Sequence, residues 1–343
     1  MRRLLISAAE PSGDLLAAAL VRALKERGSI DAFGLAGPAM RDAGVQALAN
    51  MEDVCGMGFV EVLRKLGAIQ HTRATLCGAL DDSVDAVVLI DAPDLHLPIG
   101  KVSRSMGIRT IGWVSPQVWA WRPGRVEGIS ASLDHLLCLF DFEPELYPDL
   151  DTQWVGHPVM DRIQPRTNVD STLIGLAPGS REQETDRLLP IFIQTAEELR
   201  SSDPNLQFRL VSPVSKLTLP DWIERGPDIQ SLSSARAVLT KSGTVTLELA
   251  VMGVPQVVAH QVHPITYWLG RRLVRGIQHI AMPNILAKDQ VVPEFVQNLK
   301  PHVLADALQG LPEHQAVNLS ALGDPGATRR TADIIHAWIQ ETP

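Results

Sequence analysis

The run LLISAAEPSGDLLAAALVRALKERG, residues 4–28, decides the fold. LLIS (4–7) is a short apolar stretch, AAEPSGD is a turn carrying Pro11 and Gly13, and LLAAALVRALKERG (15–28) repeats apolar residues at helical spacing up to Gly28, a natural stop. The order is strand, loop, helix. The same alternation recurs at AFGLAG (32–37), AVVLID (86–91), RTIGWV (109–114), HLLCLF (135–140) and TQWVG (152–156), with segments of helix length between them, as in a parallel α/β sheet. A second series begins at TLIGLAPGS (172–180) and continues through LQFRLVS (206–212), AVLTKSG (237–243) and PQVVA (255–259). A chain of 343 residues is also too long for one hydrophobic core. Two doubly wound, Rossmann-like α/β domains are therefore expected, with the break in the polar segment MDRIQPRTNVDS (160–171).

Hydrophobic residues make up 45% of the chain and charged residues 20%, which excludes a disordered protein. A formal net charge of −8 argues against a nucleic-acid binder driven by overall charge, so an anionic ligand must be met by local cations. Cys55, Cys77 and Cys138 are odd in number, widely spaced and outside any CxxC pattern. Neither a disulfide framework nor a zinc site is expected, and a reducing cytoplasm fits. Glu10 and Asp14 arrive too early for an export signal, and no apolar stretch is long enough to span a bilayer. Any membrane contact should be peripheral.

Ligands of open parallel sheets bind beyond the carboxyl ends of the strands, so the loops after the apolar runs are the places to look. The first carries Glu10, Ser12, Gly13 and Asp14 directly before a helix. Two readings stay open: a capped helix start with Ser12 or Asp14 as N-cap, or a sugar site in which Gly13 permits close backbone approach and Glu10 grips a hydroxyl. In IDAPDLHLP, Asp91 and Asp94 follow the run AVVLI. A carboxylate at the end of a buried strand is costly unless paired or functional, which marks Asp91. SPQVWAWRPGRV (115–126) follows the next strand. Trp119 and Trp121 there could plug a core gap, or wall a partly apolar ligand whose anion meets Arg122 or Arg125.

In the second half, LAPGSREQE (176–184) runs from strand through a turn with Ser180 into a helix. Backbone N–H groups at such a start suit a phosphate, and Arg181 adds a fixed cation. KSGTVTLELAVMGVP (241–255) repeats the scheme with Ser242, Gly243 and Thr244, and Glu248 one turn further on could hold ribose hydroxyls. Two such starts in one domain fit a nucleotide diphosphate. Further on, Tyr267 and Trp268 neighbour the basic cluster Arg271, Arg272 and Arg275. This is either a core helix with a solvated edge or a contact with an anionic membrane surface.

AEPSGD, MGFVEVL, IDAPD, SPQVWAWRPGRV, VGHPVMD, PGSRxxE, SGTVTLE and PNILA occur in an order and spacing that resemble the lipid-A-disaccharide synthase family, from Ser7 to Gln297. The resemblance implies a GT-B glycosyltransferase: two Rossmann-like domains facing a cleft, residues 1–160 on the acceptor side and 161–325 binding the UDP sugar. A C-terminal helix over 326–343 would pack back on the first domain. It implies UDP-2,3-diacylglucosamine (a UDP-diacylglucosamine) as donor and 2,3-diacylglucosamine 1-phosphate (lipid X) as acceptor, joined with inversion to the disaccharide 1-phosphate. Carried over by motif, Asp91 is the candidate general base, with His157 in reserve. Glu10, Ser12 and Asp94 support the acceptor sugar, Trp119, Trp121 and Arg122 or Arg125 shape the acceptor rim, and Arg181, Ser242, Gly243, Thr244, Glu248 and Asn284 form the UDP side. No metal or other cofactor and no nucleic acid are expected. The enzyme should work at the inner face of the cytoplasmic membrane, and a homodimer stays open. The alternatives are another UDP-N-acetylhexosamine enzyme on this fold or a non-catalytic binding protein. The chain departs from the family pattern at Ala9, His96, Lys288 and Asp289.

Overall fold

A computed structural model describes every residue except 56–58, 120–122, 215–216, 263–278 and 341–343, and the backbone alone for 59–65 and 123. The chain divides into two compact units, Met1–Asp161 with Ala321–Pro343, and Arg162–Ser320.

The first unit holds β1 (Arg2–Ala8), α1 (Pro11–Arg27), β2 (Ile30–Ala36), α2 (Pro38–Asp42), β3 (Gln46–Asn50), α3 (Met51–Val54), α4 (Phe59–Gly78), β4 (Ala86–Ile90), α5 (Pro93–Ser105), β5 (Arg109–Trp113), α6 (Val126–Ser130), β6 (His135–Cys138), β7 (Asp151–Trp154) and the start of α7 (Val159–Arg162). Its strands lie in the order β3-β2-β1-β4-β5-β6-β7, all parallel. Every residue of β4 is buried, because helices cover both faces of such a sheet. Leu5, Phe33, Val87, Leu89, Ile99 and Leu136 pack together in its core, each burial contributing about 1.5–3 kcal/mol.

The second unit repeats the winding with β8 (Asp170–Ala177), α8 (Glu182–Ser202), β9 (Gln207–Leu210), β10 (Ile223–Arg225), β11 (Ala235–Lys241), α9 (Thr244–Met252), β12 (Gln256–His260), α10 (Met282–Ala287), β13 (Glu294–Val296) and α11 (Pro301–Gln309). The order is β10-β9-β8-β11-β12-β13, again parallel. Leu176, Phe192, Phe208, Leu239 and Val257 fill its core.

The chain closes with α12 (Ala327–Gln340), which packs against α1 in the first unit. Thr331, Ile335 and Ile339 recur every fourth residue and are buried, giving the helix one apolar face. The Asp161 carboxylate accepts from the N–H groups of Gly326, Ala327 and Thr328 and so caps its start. Arg27 Nε donates to Asp333 at 2.6 Å, and the Trp338 ring lies 4.6 Å from that of His135.

The expected N-cap at Ser12 or Asp14 is corrected. Helix α1 starts at Pro11 with Glu10 in the cap position, because proline fits the first helical residue, where no N–H is needed. Ser12 and Asp14 therefore lie inside its first turn.

Candidate functional site

In each sheet the strand order reverses at one point, the place where open α/β sheets bind their ligands. In the first unit this lies between β1 and β4, where Ala8 pairs with Ile90. Glu10 and Asp91 thus leave the sheet from neighbouring strand ends. The chain turns sharply after β4: Asp91 and Ala92 both have positive φ, at 56° and 45°. After neighbouring β5, Val114 does the same at 76°. Non-glycine residues in this region cost about 1–3 kcal/mol each, and such strain concentrates at functional sites.

Hydrogen bonds hold the turn. The Asp91 N–H donates to the Trp113 carbonyl at 3.1 Å. The Asp91 carbonyl can only accept, so the 2.7 Å contact with His96 Nδ1 requires the proton on that nitrogen. Ser7 Oγ lies 2.8 Å from His96 Nε2. Burial pushes the imidazole down to about 4, so it is neutral at pH 7 and Nε2 accepts from the Ser7 hydroxyl. The sequence marked His96 only as a departure from a pattern.

Around this rim, Ser12 is exposed on the first turn of α1 and Gly13 is buried beneath it. Asp94, in the first turn of α5, is exposed and ion-paired with Arg125. Trp119 is half-buried, edge-on to Phe140 and Phe142, with centroids 6.1 and 5.4 Å away. Its Nε1 donates to Glu143 at 3.1 Å. Glu143 also accepts from the N–H groups of Leu139 and Phe140, yet burial raises its carboxyl to about 7. Nothing in the sequence singled Glu143 out. Trp121 and Arg122 lie outside the described residues. His157 Nδ1 accepts from the Val159 N–H at 3.1 Å, so that nitrogen serves the start of α7.

In the second unit the reversal lies between β8 and β11, where Ala177 pairs with Thr240. The next residues lead into α8 and α9, whose cap positions are Arg181, which makes no side-chain capping bond, and Gly243, which has no side chain to make one. Gly179 and Gly243 have φ of 131° and 144°, conformations that glycine adopts without strain. Ser180 and Thr244 are exposed and Ser242 is half-buried. Lys241 Nζ and Arg181 Nη1 share Glu184 Oε1, at 2.8 and 3.3 Å. Burial, and then Lys241, lower the pKa of His260 at the end of β12. Two cations and two helix starts thus gather at the ends of adjacent strands, where an anion is favoured.

A family model described as lipid-A-disaccharide synthetase matches residues 4–315. The chain belongs to the lipid-A-disaccharide synthase family. The enzyme of that name from Geobacter sulfurreducens is 38% identical over 324 residues, covering 86% of this chain and 84% of that protein. The Coxiella burnetii (strain CbuK_Q154) synthase is 34% identical over 358 residues, covering 97% and 94%. Among solved structures, a UDP-GlcNAc 2-epimerase from Neisseria meningitidis bound to UDP-GlcNAc aligns with a TM-score of 0.64 at 12% identity, over 98% of this chain and 99% of that one. Arabidopsis thaliana UGT89C1 complexed with UDP gives 0.61 at 15%, over 98% and 99%. At such identities the likeness shows the fold alone, the GT-B class. A lipid-A-disaccharide synthase is a glycosyltransferase, and so is this chain.

Three residues expected on the ligand side of the synthase are tied into its framework. Asp14 is buried and accepts from the N–H groups of Gly37, Ala39 and Met40 at 3.0, 2.9 and 3.0 Å, capping α2. Asn284 has no exposed surface: Nδ2 donates to the Val292 carbonyl, and Oδ1 accepts from the N–H groups of Val291 and Val292, each at 2.8 Å. Both bond the backbone for one reason, that a short polar side chain beside unpaired backbone groups satisfies them first. Glu248 is buried and paired with Arg162; burial raises its pKa and Arg162 opposes the rise.

Among the described residues, no group of three or more His, Cys, Asp or Glu side chains could hold a metal ion. No described helix is long and apolar enough to cross a membrane. Tyr267, Trp268, Arg271, Arg272 and Arg275 lie outside the described residues.

Proposed function

We propose that this synthase joins UDP-2,3-diacylglucosamine to 2,3-diacylglucosamine 1-phosphate, with the acceptor at the first unit's switch point and the UDP sugar at the second's. The observation that carries the reading is the strained turn at Asp91, where a carboxylate follows a fully buried strand. In this scheme Asp91 takes the proton of the acceptor's primary hydroxyl, the oxygen attacks the anomeric carbon, and the bond to UDP breaks with inversion. Arg181, Lys241 and the starts of α8 and α9 stabilise the leaving diphosphate. Glu248 takes the ribose hydroxyls, exchanging its bond to Arg162 for them. Glu10, Ser12 and Asp94 orient the acceptor sugar, while Trp119 and Arg125 border its acyl chains and phosphate.

Substrates that carry acyl chains require work at a bilayer surface. The cluster Arg271, Arg272 and Arg275 beside Tyr267 and Trp268 is our candidate for that contact, each cation contributing on the order of 1 kcal/mol near anionic lipid. Its change to glutamates should weaken binding to anionic liposomes. The deciding experiment for the reaction is incubation with both diacylated sugars, followed by mass spectrometry. Disaccharide 1-phosphate and UDP appearing together support the assignment, and their absence with folded protein refutes it.

A further inference from the structure

Ser7, His96 and the main chain of Asp91 form a connected set. Ser7 lies on β1 and Asp91 directly follows β4, so the set joins the strands on either side of the switch point. Ser7 has no exposed surface and His96 is 2% exposed, which keeps water from competing for their bonds. Helix α5 adds its own tie, since the His96 N–H donates to the Ala92 carbonyl at 3.1 Å.

The Asp91 carbonyl belongs to the peptide between the two residues with positive φ. Its orientation sets ψ of Asp91 and φ of Ala92 together. Without the His96 bond, the peptide is freer to rotate about ψ of Asp91 and φ of Ala92, which releases the positive φ of Ala92 and loosens the turn that carries the Asp91 carboxylate. We infer that His96, held by Ser7, is a positioning residue: it donates from Nδ1 to the Asp91 carbonyl and thereby keeps the Asp91 carboxylate where the reaction needs it. The inference rests on the proposed role of Asp91 as the base.

Asparagine and glutamine separate this role from simple burial of a polar group. In asparagine the amide nitrogen can occupy the place of His Nδ1, on the same γ carbon. In glutamine it reaches the place of Nε2 instead. His96→Asn therefore keeps the bond to Asp91 and loses the one to Ser7, while His96→Gln does the reverse. We expect His96→Asn to retain most of kcat, and His96→Gln and His96→Leu to lose on the order of 10²-fold, the scale of displacing a reacting group by an ångström. The KM for the UDP sugar and the calorimetric affinity for UDP should stay at the parent values in all three.

Equal kcat in the asparagine and glutamine variants overturns the inference. Asp91→Asn is assayed alongside. If it is inactive while His96→Gln turns over normally, the base survives and the positioning role falls; if Asp91→Asn is itself fully active, the base reading fails first. Should the His96 variants not fold, ¹⁵N NMR of the unmutated protein decides. A neutral His96 with its proton on Nδ1 at pH 7 supports the inference, and an Nε2-protonated or cationic ring overturns it.

Discussion

At the switch point of the first sheet the chain turns through Asp91 and Ala92, non-glycine residues at positive φ tied down by neutral His96. At that of the second it turns through Gly179 and passes Gly243, beside Arg181 and Lys241. The winding is the same and the proposed chemistry is reversed. In the proposed reaction, the carboxylate that removes a proton needs one orientation, and a strained, hydrogen-bonded turn suits that need. The proposed diphosphate needs N–H groups close by and cations around it, and glycine turns before helix starts offer those.

The largest effect should come from removing the acid. Asp91→Asn is expected to lower kcat by roughly 10²- to 10⁴-fold with UDP affinity unchanged in calorimetry; normal turnover would erase the functional contrast between the units. Arg181→Met should lower kcat/KM on the order of 10²-fold and weaken UDP binding. If UDP binds the variant as tightly as the parent, the diphosphate does not sit at this rim.

A pH experiment sharpens the comparison on the acidic side. The Glu143 carboxyl is raised from 4.5 to about 7, chiefly by burial, so the stability of its neutral form is complete below about 4.5 and is lost as pH rises through 7. The parent should therefore lose about 1–3 kcal/mol relative to Glu143→Gln between about pH 5 and pH 8, read from urea midpoints. A constant difference would mean that its three N–H donors keep the carboxylate ionised in the fold.

Glycine substitutions probe the turns directly. A Cβ at Gly179 would meet Glu184 Oε2 at 2.8 Å with φ at +131°, whereas at Gly13 it would meet Ala8 Cβ at 3.4 Å without an unusual φ. Gly179→Ala should cost about 1–2 kcal/mol, and Gly13→Ala should change stability by less than about 1 kcal/mol. Equal thermal midpoints for the two would remove the backbone half of the contrast. The smallest effect is expected at Asp94→Ala, which breaks an ion pair whose acid is 73% exposed and so costs less than about 1 kcal/mol. A larger loss would show that the pair with Arg125 braces the acidic rim.

The central strands were legible because burial on both faces makes a near-continuous apolar run. Strands β3, β10 and β13 escaped notice: QALAN is half-exposed, while IER and EFV are only three residues long. Loops after the strands pointed to Asp91, Arg181 and the SGT turn, since parallel topology brings strand ends to one rim. Lys241 was passed over as flanking sequence, and the role of Glu143 arises only where Trp119 folds onto it.

Sequence alone determined that the chain holds two doubly wound α/β domains and that the loops after their central strands are the places to look, because periodicity reports burial along a local direction. Only the tertiary structure decided what each polar side chain answers to. Asp14 meets N–H groups 23 to 26 residues away, and His96 meets a hydroxyl 89 residues away. A hydrogen bond depends on position in space, and residues this far apart along the chain acquire a common position only when the sheet has formed.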